Sequence, residues 1–366
     1  MPSTAQADRL ARSVLAQRVA LRPGETVFVE AFTSALPWAT AFVREARRIG
    51  AKPLLHFEDE ESYWAAVRNH REELLGNPGD HEWAALERTN VYVYFWGPED
   101  QARISRLPEP TYAKLTAFNR RWYETARKSG LRGVRMAIAR ATPANARFWG
   151  VPPETWVRET LAASTRDPAD LRSTALRLSR ILERGSRVRI RHANGTDLTL
   201  ALVGREPVVG LGQVTPATRK TRFGMMQSVP DANVYVAVDE GTADGRLVAN
   251  RRNSQFGEPV TGGSIEFSGG RLRSYSFDRG AAAFQEGYRP GTAGKDRPSF
   301  VEIGLDPAIR VSPGLEESEA GALTVGIGGN TSFGGANTSS FFGFLTVGGA
   351  DLYVDERAIV RKGRIV

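Results

Sequence analysis

The sequence predicts two unlike halves: an α/β N-terminal domain with an open, mostly parallel sheet, followed by a C-terminal, largely antiparallel β domain (α+β in class) of barrel-like build. Two observations predict this. In the first half, segments of helical periodicity alternate with short β-rich runs joined by brief loops, the pattern of strands linked by crossover helices. From Ser186 onward, short β-rich runs follow one another between Gly, Asn, Asp and Pro.

In order, residues 11–19 read as an amphipathic helix, Arg22-Pro23-Gly24-Glu25 as a turn and residues 26–30 as the first strand. Residues 36–49 have helical periodicity and stop at Gly50, a residue suited to the left-handed position after a helix. A second strand is predicted over 53–57 and a helix over 60–75 that stops at Gly76-Asn77-Pro78. The aromatic run 91–96 reads as a third strand, 111–128 as a helix ending at Gly130, and 134–139 as a fourth strand. No glycine-rich phosphate loop follows any of these strands, so the Rossmann-like layout implies no dinucleotide. Prolines 143, 152 and 153 mark a change of texture, with helices predicted over 156–163 and 168–183. Beyond it, strands are predicted over 187–192, 198–203, 234–238, 246–249, 264–267, 272–277, 323–327, 341–347 and 351–354. The expected division is 1–150 as the α/β domain, 151–185 as a helical linker and 186–366 as the β-rich domain.

Composition excludes several chemistries. The 366 residues are 41% hydrophobic and 25% charged, an ordinary globular balance. With no cysteine, disulfides, thiolate metal sites and Cys nucleophiles are excluded. The four histidines, His56, His70, His81 and His192, include no pair spaced to bind zinc from one helix. No run approaches the length needed to span a bilayer. The Arg-studded first 22 residues lack the apolar core of a signal peptide, so a cytoplasmic protein without a membrane partner is expected. The net charge is +8, but only six of the 49 basic residues are Lys and Arg is spread along the whole chain. That pattern fits a GC-rich genome better than a nucleic-acid-binding stripe, and no nucleic-acid partner is expected. Two denser clusters, Arg219-Lys220-Thr221-Arg222 and Arg246 with Arg251-Arg252, could approach an anionic ligand.

Four stretches together carry a family likeness. They are Leu21 to Glu30 with the helix that ends Arg47-Arg48-Ile49-Gly50-Ala51-Lys52-Pro53; Gly195-Thr196-Asp197-Leu198; Val229-Pro230-Asp231 through Glu240-Gly241 to Gly245; and Glu302-Ile303-Gly304 with Gly328-Gly329-Asn330 through Ser339, closed by the hairpin around Tyr353-Val354-Asp355. In order and spacing the chain resembles the M29 family of metallo-aminopeptidases. The resemblance implies an M29 aminopeptidase-like fold and a C-terminal domain through which members commonly form homodimers. It also implies a centre of two divalent metals (Zn, Co, Mn or Fe) held by Glu, Glu, His, His and Asp beside a Tyr, which activates water.

Here the chain departs from its family. Where the first Glu is expected stands Asn233, a far weaker ligand; Glu302 matches the second; the first His falls at about Thr324; and the last His and Asp fall at Phe342 and Phe344, which cannot ligate metal. No His follows His192, so a shift of a residue or two restores none of them. No metal ligand and no cofactor are therefore expected. The same losses count against the non-heme iron ring-cleaving oxygenases that the resemblance also covers.

Glu302 is the candidate catalytic acid or base, or an anchor for a ligand's amine; the alternative is a structural carboxylate paired with an Arg. Asn233, Asp239, Glu240, Asn330, Asn337, Phe342 and Phe344 are the candidate ligand-binding residues. For Asp239 and Glu240 the alternative is a solvated turn, and for the Asn-rich stretch a bulge-and-turn structure. His192 and His56 read as structural, and the tryptophans as core. The functional reading is a pseudoenzyme that binds a peptide or amino-acid-derived ligand and delivers it to a partner enzyme. The alternatives are a metal-independent tailoring enzyme or hydrolase acting on a small amide or peptide, and an active M29-type metallo-aminopeptidase with relocated ligands.

Overall fold

The computed structural model describes residues 2–69, 75–220 and 224–366, which divide into two compact units. The first comprises residues 1–168 with 212–230, and the second 169–211 with 231–366. Over 151–185, where the sequence reading places a helical linker, helix Pro153–Thr165 thus belongs to the first unit and helix Pro168–Arg184, from Ala169 on, to the second.

Strands β1 (Thr26–Phe32), β2 (Lys52–Glu58), β3 (Val91–Phe95) and β4 (Arg132–Met136) open the first unit; β5 (Arg187–His192), β6 (Thr196–Ala201) and β7 (Val208–Gly210) belong to the second. The chain then returns to the first unit for β8 (Met226–Val229). This completes an all-parallel sheet in the order β2-β1-β3-β4-β8. Its first helix, Thr4–Ser13, starts at a reciprocal cap between Ser3 and Gln6. Helix Leu36–Ile49 ends at Gly50, whose φ of 89° suits a residue without a Cβ. One face of the sheet buries Val27, Val29, Val91, Val93 and Val134 against Leu10, Phe42 and Ala46 from these helices.

Three expectations for this unit change. The helix expected over 111–128 is two helices, Glu109–Leu115 and Asn119–Ser129. At the break the Thr116 hydroxyl donates to the Tyr112 carbonyl 3.0 Å away, a local bond that competes with the helical ladder. The fourth strand spans Arg132–Met136, and the apolar residues after it form a tight helical turn, Ala137–Arg140. The helix expected over 60–75 is seen as Glu60–Asn69, and its remainder, with His70, lies outside the described residues.

The second unit continues with β9 (Asn233–Ala237), β10 (Asp244–Val248), β11 (Ser264–Ser268), β12 (Arg271–Ser276), β13 (Pro298–Gly304), β14 (Leu323–Gly328), β15 (Phe342–Val347), β16 (Asp351–Val354), β17 (Arg357–Arg361) and β18 (Arg364–Ile365). Its antiparallel strands do not close into the barrel that the sequence leads one to expect. They form two open sheets, β12-β11-β10-β6-β5-β16-β17-β18 and β15-β14-β13-β9-β7. One core joins them. It includes Val188, Ile190, Leu198 and Leu247 of the larger sheet, Val234, Val301, Val325 and Leu345 of the smaller, and Leu178 and Leu182 of helix Pro168–Arg184. Because strand side chains alternate, the odd residues of β13 (Val301, Ile303) face this core and the even ones face away.

Candidate functional site

That opposite face of the smaller sheet carries half of the residues singled out in the sequence. Register places Glu302 of β13 between Tyr235 of β9 and Thr324 of β14, and Thr324 beside Thr346 of β15. A second row follows from the same pairings: Asn233 lies opposite Gly304, and Phe344 and Phe342 lie opposite Gly326 and Gly328. Glu302, Asn233, Phe342 and Phe344 are therefore brought to one face.

Glu302 is only 6% exposed, and among the described residues its side chain makes no hydrogen bond. Burial raises its pKa well above the ordinary carboxylate value, and the nearby Glu317 and Asp231 push it further in the same direction. Beside it Tyr235 is also shifted upward, by burial first and then by the fields of Asp231 and Glu302. Where the family would supply a histidine, the Thr324 hydroxyl instead pairs with the Thr346 hydroxyl at 2.9 Å, and both are buried. The Asn233 amide donates to Asp231 Oδ1 at 2.7 Å, while its own Oδ1 is buried without a partner. Gly210 is required here, since a Cβ at that position would stand 2.3 Å from Asn233 Oδ1.

Aromatic rings wall the face. Phe300, Phe333 and Phe342 stack nearly parallel, with centroids 4.6 Å (Phe300–Phe333) and 5.3 Å (Phe333–Phe342) apart. Tyr235 meets Phe333 edge-on at 5.3 Å, and Phe344 lies 6.0 Å beyond Phe342. Phe300 fits because Gly326 has no side chain; a Cβ there would fall 2.3 Å from its ring. Tyr235, Phe300, Phe333, Asp231 and Glu317 are all missed by the sequence reading. Tyr235 and Asp231 carried a signal, since each lies two residues from Asn233. Phe333 carried one too, as the single ring within a glycine-rich loop.

The remaining candidates organise the loop rather than face a ligand. Asn330 is fully buried; its amide donates to Glu240 Oε1 (2.7 Å) and to the Ser299 carbonyl (3.2 Å), and its Oδ1 accepts from the Asn337 N–H (2.8 Å). Asn337 donates to the carbonyls of Gly294 and Gly328, each at 2.8 Å. Glu240 also accepts from Arg205 at 2.9 Å. Burial opposes its charge, but the bonds from Arg205 and Asn330 outweigh this and hold its pKa down to about 2. Asp239 accepts from the Gly241 N–H at 2.9 Å, a turn contact. Of the basic clusters, Arg246 donates to Ser264, Arg251 forks onto Glu319, and the cluster at 219–222 lies partly outside the described residues.

With this geometry in place, comparison with known proteins is decisive about ancestry. The sequence profile of the family described as "Thermophilic metalloprotease (M29)" matches residues 3–288. The chain belongs to the M29 peptidase family. Its fold matches wild-type AmpT from Thermus thermophilus with a TM-score of 0.73 at 19% identity, covering 99% of both chains. It also matches a 2,5-dihydroxypyridine dioxygenase from Pseudomonas putida KT2440 with a TM-score of 0.62 at 16% identity, covering 100% of this chain and 98% of that one. No curated protein matches by sequence. At these identities the structures establish the M29 fold alone.

The residues present do not fit the two-metal centre that M29 ancestry implies. Glu302 is the one carboxylate left at the expected positions, with an amide, a hydroxyl and two phenyl rings at the others. Among the described residues no group of three or more His, Asp or Glu is placed to hold a metal ion.

Proposed function

We propose that this M29 protein binds a peptide or amino-acid-derived ligand through its ammonium group on the Glu302 face, without cleaving it. The observation that carries this reading is Glu302 itself, a buried carboxyl with no hydrogen-bond partner among the described residues, on a face it shares with Phe300, Phe342, Phe344 and Tyr235. A buried carboxylate without a partner is costly, and a cation relieves that cost. Aromatic faces add cation–π attraction. Homodimerisation, hand-over of the ligand to a partner enzyme and a cytoplasmic location belong to the same proposal. Among the described residues no helix is long and apolar enough to cross a membrane.

The test combines metal content after loading with zinc, cobalt, manganese or iron(II), hydrolysis of aminoacyl amides, and calorimetry with the same amides. The proposal expects saturable binding without stoichiometric metal or turnover, and loss of binding in Glu302→Gln. Stoichiometric metal with hydrolysis would replace it by a working metallo-aminopeptidase. A second reading, a metal-independent enzyme acting on a small amide, is favoured by the raised pKa of the buried Glu302, a shift that suits a proton-transfer group. Conversion of the bound amide by metal-free protein, abolished in Glu302→Gln, would establish it instead.

A further inference from the structure

The first unit contains a polar row unrelated to the Glu302 face. Parallel register aligns His56 of β2, Glu30 of β1, Tyr94 of β3 and Arg135 of β4 straight across four neighbouring strands. Each lies one or two residues from the carboxyl end of its strand, where open α/β sheets receive ligands. All four are half-buried, and successive members are separated by about 4.8 Å of sheet.

The charges in this row are not balanced. Arg135 has no carboxylate partner among the described residues; its Nη2 donates to the Tyr123 hydroxyl of helix Asn119–Ser129. Burial works against its charge, moving its pKa below the usual guanidinium value. Two ladder steps away Glu30 accepts from the Tyr92 hydroxyl, and His56 Nδ1 is buried without a partner. Rings surround the gap: Tyr94 stacks with Tyr92 at 6.5 Å, and Trp122 contacts both Tyr92 (5.0 Å) and Tyr123 (5.3 Å).

We propose that the carboxyl ends of β1–β4 form a second ligand site, taking a small aromatic monocarboxylate whose carboxylate sits on Arg135 and the Tyr123 hydroxyl and whose ring lies against Tyr94. The guanidinium fork matches a carboxylate, and a partly desolvated cation without an anion is the vacancy such a ligand completes. A monoanion is favoured over a phosphate. Glu58 and Glu82 act on Glu30 as neighbouring negative charges, and no glycine-rich loop supplies the N–H groups a phosphate needs. The inference does not rest on the function proposed for the Glu302 face.

The full chain is titrated with benzoate and 4-hydroxybenzoate, which carry no ammonium group, with inorganic phosphate as the control. Binding is followed by tryptophan fluorescence and by calorimetry. Saturable binding of at least one carboxylate is expected below about 10 mM, with none of phosphate. Arg135→Gln should weaken it at least tenfold, Arg135→Lys less, and Tyr123→Phe by a few-fold. Should Arg135→Gln fail to fold, Arg135→Lys and Tyr123→Phe carry the test. No saturable binding by any carboxylate, or equal affinity in folded Arg135 and Tyr123 variants, would overturn the proposal, as would a preference for phosphate.

Discussion

Asn330 holds Glu240 in place: its side-chain amide lies 2.7 Å from Glu240 Oε1 while its own oxygen receives the Asn337 N–H. The loop between β14 and β15 is thus tied to the turn after β9 through this buried amide and through the Ala336 N–H, which donates to the same Glu240 oxygen at 3.1 Å. Asn330→Ala removes one donor from the Ser299 carbonyl and one from Glu240 Oε1 and takes the acceptor from the Asn337 N–H, and should destabilise the protein by about 1–3 kcal/mol in urea unfolding.

Glu240 adds a pH dependence to that loop. Its folded pKa, about 2, lies below the unfolded value of 4.5, so its contribution is present above pH 4.5 and is lost as pH falls toward 2. The stability difference between wild type and Glu240→Gln should shrink over that window. A difference that is flat with pH would mean that the ion pair with Arg205 contributes nothing.

Glu302 has the opposite sign. Its folded pKa is raised, so ionising it above the unfolded value of 4.5 favours the unfolded chain, and stability falls as pH rises toward the folded pKa. Glu302→Gln keeps the shape and removes the charge. Its melting temperature should exceed that of wild type, by a margin that grows between pH 4.5 and pH 8.

Arg251 forks onto Glu319, Nε to Oε2 at 2.6 Å and Nη2 to Oε1 at 2.9 Å, and Glu319 is 6% exposed. Arg251→Ala leaves that carboxylate buried, with Arg310 3.6 Å away as its remaining cation, and should cost about 3–5 kcal/mol. Removing both partners in Arg251→Met with Glu319→Met should cost much less, because no charge is then stranded. Equal losses in the single and double variants would argue that the packing of the arginine stem matters more than the ion pair.

How far the sequence is legible varies with the kind of residue. The parallel sheet is readable because β1 and β3 are β-rich runs and the helices that lead into β2 and β4 end at glycines, Gly50 and Gly130. The losses at Asn233, Phe342 and Phe344 are readable because each position is fixed by neighbouring motif residues. β13 is not readable: Pro-Ser-Phe-Val-Glu-Ile-Gly is buried on both faces, so it shows no alternation, and its Glu argues against a core strand. The strand that carries Glu302 between Tyr235 and Thr324 therefore emerges only from the fold. The roles of Asn330 and Asn337 are equally hidden, since a polar glycine-rich loop looks alike whether its amides meet a ligand or its own backbone.

An amine-bearing ligand on Glu302 has a proton signature that a ligand held only by the phenyl rings lacks. Burial favours the protonated carboxyl. An arriving ammonium group favours the carboxylate, so binding should release a proton. Calorimetric enthalpies for an aminoacyl amide measured in phosphate and in Tris should therefore differ by the buffers' ionisation enthalpies times the number of protons released. That number should be above zero for wild type and should fall in Glu302→Gln. Phe342→Ala should keep the proton release and weaken affinity by about 1 kcal/mol, roughly fivefold, through the lost cation–π contact. Binding without any proton release in wild type would place the amine elsewhere.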